Sequence, residues 1–276
     1  MIKLLTYNIH HWEGTDRRVD VARVAKVVRE SGADIIALNE VFHPAAKEPA
    51  DQPLLEAMAH HLGMAYVFGE TLSFYPEAGF PAPYGNALLT RYPILSAEAH
   101  LMVDLPGREQ RGFLRAVLDT DASSLLTIYV THLDHRHEDA RLAQAKSMLG
   151  LIARFGDHPH VILGDLNALA PSDYADCPEK LTILEKSSRE VVSGGQVVTQ
   201  LLQAGYVDAY ATAGHGPGET WSTENPRTRI DYAFLSPSLA MWLHRCQRWN
   251  TVLSQVASDH FPLLLELTTA SQVLTE

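Results

Sequence analysis

Several apolar runs of this sequence end in side chains that bind metal ions or move protons. Asn8 closes the run in TYNIH, and Glu40 follows the run in DIIALNEV. His132 follows IYVT, and Asp165 follows VILG. Mg²⁺ prefers oxygen ligands and is usually held by one or two carboxylates. A His–Asp pair or a polarised carboxylate can deprotonate an attacking water. These residue types together predict metal-dependent hydrolysis of a phosphoester.

Four further residues extend the pattern. Asn167 ends VILGDLN, Asp231 lies in RIDYAFL, and Asp259 and His260 precede the run FPLLLEL. Asp and Asn are common at turns because their side chains bond to nearby backbone groups, and Asp231 can equally be a structural partner of Arg229. The occurrence of these residue types together is more informative than any one of them. If polar residues ended the apolar runs at random, Ser, Thr and Lys would also occur there. At least five apolar runs end in Asp, Glu, Asn or His.

The predicted chemistry needs a metal ligand, a base, a residue that orients the water and hydrogen-bond donors for the phosphoryl oxygens. Glu40 is the best metal ligand, because a carboxylate after a buried strand is costly without a partner. Asp165 is the candidate base, with Asn167 orienting the water. Asn8, Asn167 and His260 can donate hydrogen bonds to charge that develops on phosphoryl oxygens. A cluster without Cys and with few His favours Mg²⁺, with Mn²⁺ able to replace it, over Zn²⁺.

Short apolar runs predict nine strands, and helical spacing of apolar residues predicts four helices. The strands cover 2–8, 35–39, 65–68, 87–90, 113–119, 125–131, 160–163, 230–235 and 262–267, and the helices cover 19–31, 53–62, 138–155 and 196–204. Many strands follow one another without the crossover helix that a parallel sheet needs. We therefore expect two sheets packed face to face, with helices on the outer faces and irregular segments at 41–51, 73–83 and 171–195.

Length and charge limit the possible functions. The chain has 276 residues and a formal net charge of −11, which predicts one α/β domain over residues 1–276. Phosphate contacts carry most of the affinity for nucleic acid, yet no Lys/Arg run exceeds two residues. The segment MIKLLTYNIHH is too polar for a signal peptide, and no run of about 18 apolar residues occurs. We therefore expect a cytoplasmic protein without a membrane span. The two isolated cysteines fit neither a disulfide framework nor a zinc knuckle.

The ordered set TYN, LNE, THLD, GDLN, RIDY and SDH resembles the endonuclease/exonuclease/phosphatase (DNase I-like) superfamily. The resemblance runs from Leu5 to Leu267, and the segments PYGNALLTRYPI and RGFLRAVL are similar to those of its compact bacterial members. It implies a four-layer α/β sandwich, in which two mixed or antiparallel sheets are flanked by helices and the site lies at one end of the sheets.

The resemblance also implies roles for individual residues. Glu40 matches the principal metal ligand, and Asn8 matches the asparagine beside it. Asp165 and Asn167 match the pair that positions the water and contacts the phosphate. The remaining matches are His260 on the scissile phosphate, Asp259 orienting it or helping to hold the metal, Asp231 before that pair, and His132 near the leaving group or phosphate.

The sequence departs from the family pattern at two places. Asn39 stands where Gln usually precedes the glutamate, and His10 stands where many abasic-site enzymes carry Asp. His10 and His11 either line the site or belong to a surface loop. Asn86 and Arg115 either bind phosphate or act as structural hydrogen bonders.

The substrate class stays open at this level. The preferred function is a phosphodiesterase acting on a small molecule or a lipid headgroup, with a Mg²⁺-dependent DNA or RNA nuclease as the first alternative. A sphingomyelinase-like enzyme would be favoured by exposed aromatic residues, and Phe74, Tyr75 and Phe80 form the one suggestive stretch. A binding protein that keeps the fold without catalysis is a further alternative. Trp221 is either a stacking platform for substrate or a plug that packs its loop.

Overall fold

The computed structural model describes residues 1–44, 52–72, 83–120, 125–177, 179 and 195–268. Within these ranges the strands form two six-stranded sheets. The first sheet contains β1 Ile2–Asn8, β2 Ile35–Phe42, β3 Ala65–Leu72, β4 Tyr84–Thr90, β11 Leu243–Arg248 and β12 Leu263–Leu267, in the order β11-β12-β1-β2-β4-β3. The second contains β5 Ile94–Leu101, β6 Gly112–Asp119, β7 Leu125–His132, β8 His160–Asp165, β9 Val207–Asp208 and β10 Asp231–Leu235, in the order β5-β6-β7-β8-β10-β9.

The helices cover the outer faces of the sheets. They are α1 Val21–Ser31, α2 Leu54–Leu62, α3 Glu138–Ile152, α4 Gln196–Gln203 and the short α5 Ala209–Ala213 and α6 Ser254–Ala257. The sequence sets the bounds of α1 directly. Asp20 caps its first turn by accepting a hydrogen bond from the backbone N–H of Arg23 at 2.9 Å, and Gly32 ends it with a left-handed φ of 67°.

Three apolar clusters separate four layers. The first packs α1 and α2 onto the outer face of the first sheet, with Val24 and Leu55 at its centre. The second lies between the sheets and contains Leu88 and Ile128. The third packs α3 and α4 onto the second sheet around Met148. The expected four-layer α/β sandwich with two mixed sheets is therefore confirmed.

Each sheet has a parallel pair of strands at its centre. In the first sheet β1 runs parallel to β2, and their ends align Asn8 with Asn39. In the second sheet β7 runs parallel to β8, and their ends align His132 with Asp165. Because the carboxyl ends of parallel strands lie at one edge of a sheet, each pair brings two polar side chains to the same place.

All nine predicted strands are present, but the sequence did not reveal β5, β9 and β11. These strands lie at or next to sheet edges, and their sequences mix small, polar and charged residues, so they lack the apolar pattern of a buried strand. The four predicted helices are also present, although α3 ends at Ile152 and the 3₁₀ turn Ala153–Phe155 replaces its last residues. The predicted aromatic stretch at 73–83 and most of the segment 171–195 lie outside the described residues. No helix of the described chain is long and apolar enough to cross a membrane.

Candidate active site

The polar residues at the strand ends continue the faces that the two sheets turn toward each other. Side chains alternate between the two faces of a strand, so residues separated by an even number share a face. Asn8 lies four residues after Leu4, and Leu4 packs between the sheets. His132, Asp165 and Asp231 lie two residues from Val130, Leu163 and Ala233, which belong to the same inner cluster. The apolar layer between the sheets therefore ends in a polar cluster.

Asn39 joins the two sheets beneath this cluster. Its Nδ2 donates to the backbone oxygen of Thr131 and to Asn86 Oδ1, both at 2.8 Å. Its Oδ1 accepts from the backbone N–H of Asp165 at 3.0 Å. The side chain of Asn39 is fully buried, so these bonds fix the relative position of the carboxyl ends of β2, β7 and β8. Asn39, which stands where the family usually has Gln, is thus a structural link between the two sheets.

Glu40 is held at the edge of the cluster by an irregularity in β2. The pairing of β2 with β4 shifts between Leu38 and Val41, and Glu40 has a left-handed φ of 58°. Asn8 Nδ2 donates to Glu40 Oε1 at 3.0 Å and to Asp165 Oδ2 at 3.1 Å. The Glu40 side chain is 20% exposed, whereas that of Asp165 is 2% exposed. Glu40 is therefore the carboxylate of this group that is open to a ligand from outside.

A second group of charges lies deeper. His260 Nδ1 donates to Asp231 Oδ2 at 2.8 Å, and His260 Nε2 lies 3.8 Å from Asp165 Oδ2. Burial alone would lower the pKa of His260, but Asp231 and Asp259 outweigh it and raise this pKa well above the usual value. Burial, and then the charge of Asp231, raise the pKa of Asp165 to about 7. The site thus combines an imidazolium with a carboxyl group that exchanges its proton near neutral pH.

His132 lies on the other side of Asp165, with 3.7 Å between Nε2 and Oδ2. Asn167 Nδ2 lies 3.0 Å from His132 Nε2, and since an amide N–H only donates, Nε2 accepts and Nδ1 carries the proton. His132 Nδ1 then faces the hydroxyl of Tyr84 at 3.3 Å. Burial and the charge of Arg111 lower the pKa of His132 well below its usual value. His132 is therefore a neutral imidazole that holds Asn167.

Asn167 itself is fixed by a local turn after β8. Its backbone N–H donates to Asp165 Oδ1 at 2.8 Å, and its φ is 49°. Asn tolerates this left-handed conformation better than most residues. The turn places the Asn167 amide beside Asp165 and His132, where sequence analysis expected a residue that orients water.

Asp259 is anchored by groups around it. Ser258 Oγ lies 3.4 Å from Asp259 Oδ1, and Trp221 Nε1 donates to Asp259 Oδ2 at 3.3 Å. Burial favours its neutral form, but the charges of His260 and His10 outweigh this and lower the pKa of Asp259. Trp221 packs against a small buried cluster of Leu169, Tyr174 and Ile230, which agrees with the loop-packing alternative for this residue.

Two predicted phosphate-binding residues take other positions. Asn86 is buried, accepts from Asn39 and donates to the backbone oxygen of Gly112 at 3.3 Å, so its amide is used inside the fold. Arg115 is not brought to the cluster. It follows Leu114, which faces the inner layer, and its guanidinium lies 4.4 Å from the ring centre of Phe155 on the outer face of the second sheet. This odd spacing places Arg115 on the opposite face of the sheet from the predicted phosphate-binding residues.

Sequence analysis missed Arg111 and Tyr84 and left His10 and His11 open. Arg111 is 2% exposed; Nη2 donates to Glu109, and no acceptor within the described residues contacts Nε or Nη1. Burial alone would lower the pKa of the Arg111 guanidinium, but Tyr84, Glu109 and Glu40 outweigh it and raise this pKa, which agrees with a position beside the site. Arg111 directly precedes β6 and opens the segment RGFLRAVL, whose resemblance to family members was the signal that could have revealed it.

The donor set is suited to a divalent cation. Two groups of described residues have ligand atoms within 4.8 Å of one another: His10, His11 and Glu40, which are partly exposed, and the buried Asp165, Asp231 and His260. Asp231 Oδ1 is buried without a hydrogen-bond partner in the described structure. Asp259, predicted as a metal ligand, belongs to neither group.

The two layered sheets place the protein among the α/β sandwiches. The carboxylates, amides and histidines at one end of the sheets are the residue types of a hydrolytic site. The model of the endonuclease/exonuclease/phosphatase family matches residues 5–260, and the chain belongs to this family, whose members are phosphoester hydrolases. No curated protein matches the sequence.

Solved structures share the fold at low sequence identity. An endonuclease/exonuclease/phosphatase from Beutenbergia cavernae is 21% identical with a TM-score of 0.74, covering 97% of this chain and 71% of that one. A 3′ phosphatase from Neisseria, solved with a product DNA hairpin, is 20% identical with a TM-score of 0.69, covering 97% and 100%. A mannosyl-6-phosphatase from Bacteroides thetaiotaomicron is 18% identical with a TM-score of 0.67, also covering 97% and 100%.

Proposed function

We propose that the protein is a metal-dependent phosphoester hydrolase that uses an activated water as its nucleophile. The observation that carries the proposal is the environment of Asp165. One of its carboxylate oxygens lies 3.1 Å from the amide of Asn8 and within 3.8 Å of both His132 and His260. A buried carboxyl with a pKa of about 7 can take up a proton near neutral pH.

The roles follow from charge and position. Glu40, supported by Asn8, would hold the cation, which supplies Lewis-acid polarisation of the phosphoryl oxygens when bound. Asp165 accepts the proton of the attacking water, and Asn167 orients that water. His260 supplies positive charge for the phosphoryl group.

Three further residues support these groups. Asp231 and Asp259 keep His260 protonated. His132 is neutral and has both ring nitrogens engaged, so its role here is to position Asn167. The resemblance implies instead a place near the leaving group or the phosphate.

The substrate is a phosphoester, and its finer class follows from less direct arguments. The similar structures include a 3′ phosphatase bound to DNA and a mannosyl-6-phosphatase, so both nucleic acid and small molecules are represented in this fold. The net charge of −11 supports a small molecule or lipid headgroup over an extended duplex. The preference for a diester stays a prediction from the sequence.

Hydrolysis of bis-p-nitrophenyl phosphate and p-nitrophenyl phosphate tests the proposal with EDTA, Mg²⁺ and Mn²⁺. We expect metal-dependent turnover that falls by about 10²–10⁴-fold in Asp165→Asn, because a general base contributes about that much. Glu40→Gln should lose the dependence on metal together with the activity. The matched controls Asp104→Asn and Glu98→Gln change exposed residues that have no role in the proposed chemistry, and they should keep wild-type rates. Wild-type turnover in Asp165→Asn would refute the proposal, and the ratio of the two substrates decides between diester and monoester.

A further inference from the structure

His10 and His11 form a group with Glu40 at the mouth of the site. One ligand atom from each residue lies within 4.8 Å of the other two, and His11 Nδ1 is 3.6 Å from Glu40 Oε2. The two imidazole rings lie 4.3 Å apart, centre to centre. All three side chains are partly exposed, so an ion can reach them from solvent, unlike the buried trio of Asp165, Asp231 and His260.

An unusual backbone turn produces this arrangement. His10, His11 and Trp12 have successive left-handed φ values of 42°, 44° and 64°. Such a conformation costs about 1–2 kcal/mol for each residue that has a Cβ. Trp12 anchors the turn, since it is fully buried and its Nε1 donates to Met58 Sδ at 3.4 Å. The His10 N–H donates to Asn8 Oδ1 at 3.1 Å. The fold therefore maintains a strained turn that directs both imidazoles toward Glu40.

The surroundings of His10 also favour ligation. His10 Nδ1 lies 3.3 Å from the backbone oxygen of Glu13. A carbonyl oxygen only accepts, so Nδ1 donates to it, and Nε2 is the ring nitrogen left for a metal ion. Metal-bound histidines commonly donate their other ring N–H to a backbone carbonyl in this way, which fixes the tautomer and the orientation of the ring.

We propose that His10 and His11 are ligands, together with Glu40, of the divalent cation, and that they make the site select Mn²⁺ over Mg²⁺. This inference rests on the proposed function in placing the cation at Glu40. Mg²⁺ takes oxygen ligands almost exclusively and keeps several of its waters. Imidazole nitrogen suits transition ions better than Mg²⁺, and Mn²⁺ is a transition ion that also takes the oxygen ligands of Mg²⁺. Two nitrogens beside one carboxylate therefore favour Mn²⁺ in a family site that the sequence alone assigned to Mg²⁺.

The first experiment needs no variant. Mn²⁺ is added to the metal-free full-length protein, and its electron spin echo envelope is recorded for modulation by ¹⁴N. We expect couplings from directly bound imidazole nitrogen. Their absence, with Mn²⁺ bound at one site, would overturn the inference.

The second experiment compares affinities by calorimetric titration of Mn²⁺ and Mg²⁺. His10→Asn and His11→Asn remove the imidazole but keep a residue that tolerates the left-handed turn. We expect each to weaken Mn²⁺ binding by about tenfold, or about 1.4 kcal/mol, while Mg²⁺ binding changes little. His60→Asn and His61→Asn alter the exposed histidine pair on α2 and serve as matched controls. An unchanged preference for Mn²⁺ over Mg²⁺ in both turn variants would contradict the inference.

The two proposals fail in distinguishable ways. Nitrogen couplings that are lost in His10→Asn and His11→Asn, without turnover of any phosphoester, would leave the ligand assignment standing and remove the proposed function. Metal-dependent turnover without nitrogen couplings would support the proposed function and overturn the ligand assignment. Glu40→Gln should lose affinity for both ions, because it removes the carboxylate that the two proposals share.

Discussion

Replacing Asp231 by asparagine tests the buried charge pair that it forms with His260. The two side chains meet at 2.8 Å and are 0% and 6% exposed. Burial favours a neutral imidazole, yet the negative charges around His260 raise its pKa well above the usual value, and Asp231 contributes most to that rise. Asparagine keeps the size of the side chain but removes its charge, so the imidazolium loses its nearest counter-charge.

The expected loss of stability is large. Removing one partner of a buried ion pair costs about 3–5 kcal/mol. We therefore expect Asp231→Asn to lower the free energy of unfolding by about 3 kcal/mol at about pH 6, measured by urea denaturation. The pKa of His260 is higher in the folded than in the unfolded protein, so its stabilisation is complete below about pH 6.5 and disappears as the pH rises through the folded pKa. The gap between wild type and variant should accordingly shrink toward alkaline pH.

A double-mutant cycle with His260→Gln isolates the pair from other effects of either change. Asp104→Asn, at an exposed position, is the control for the chemical change itself and should unfold like wild type. The reasoning is refuted by a loss below about 1 kcal/mol in Asp231→Asn, a value typical of exposed ion pairs. A gap that stays constant with pH would also contradict it, because the pair would then not depend on a protonated His260.

Three further results are expected. Burial and Asp231 raise the pKa of Asp165 to about 7, so if Asp165 is the base, kcat/KM should fall about tenfold per pH unit below that value; a flat profile would exclude this role. Gly164→Ala would place a Cβ 1.8 Å from the backbone oxygen of Thr131 at a φ of 148°, so thermal unfolding should show severe destabilisation. The matched control Gly150→Ala adds its Cβ to open space and should stabilise α3 by about 0.5–1 kcal/mol. Asn39→Ala should cost about 3 kcal/mol in denaturant unfolding, because buried groups in both sheets lose their hydrogen-bond partners; a loss under about 1 kcal/mol would mean that this link is weak.

The strand-end residues could be predicted because their faces follow from spacing. Asp165 and His132 lie an even number of residues from apolar neighbours that pack between the sheets, and the same rule places Arg115 on the opposite face, next to Phe155. The segment RGFLRAVL resembles family members, and this resemblance, not the alternation of side chains, made Arg115 a candidate. The order of motifs sufficed for the four-layer fold, since each motif adjoins one end of a buried strand.

Other features depend on contacts that no local pattern encodes. The left-handed turn at His10 and His11 is maintained by Trp12 contacting Met58, 46 residues away. Asn39 contacts Asp165 across 126 residues. Propensity alone disfavours a left-handed turn of three residues with side chains, so only the assembled core explains why His10 and His11 face Glu40.

The two sheets differ in how the chain supplies their strands. The second sheet uses one continuous stretch, from β5 to β10, whereas β1 lies between β2 and β12, which are separated by more than two hundred residues. His260 lies three residues before the start of β12. During synthesis, β1 therefore waits with one open edge until almost all the described chain has been made. Translation that stops between Leu235 and His260 yields a chain whose second sheet is complete in sequence but which lacks the imidazolium of the site.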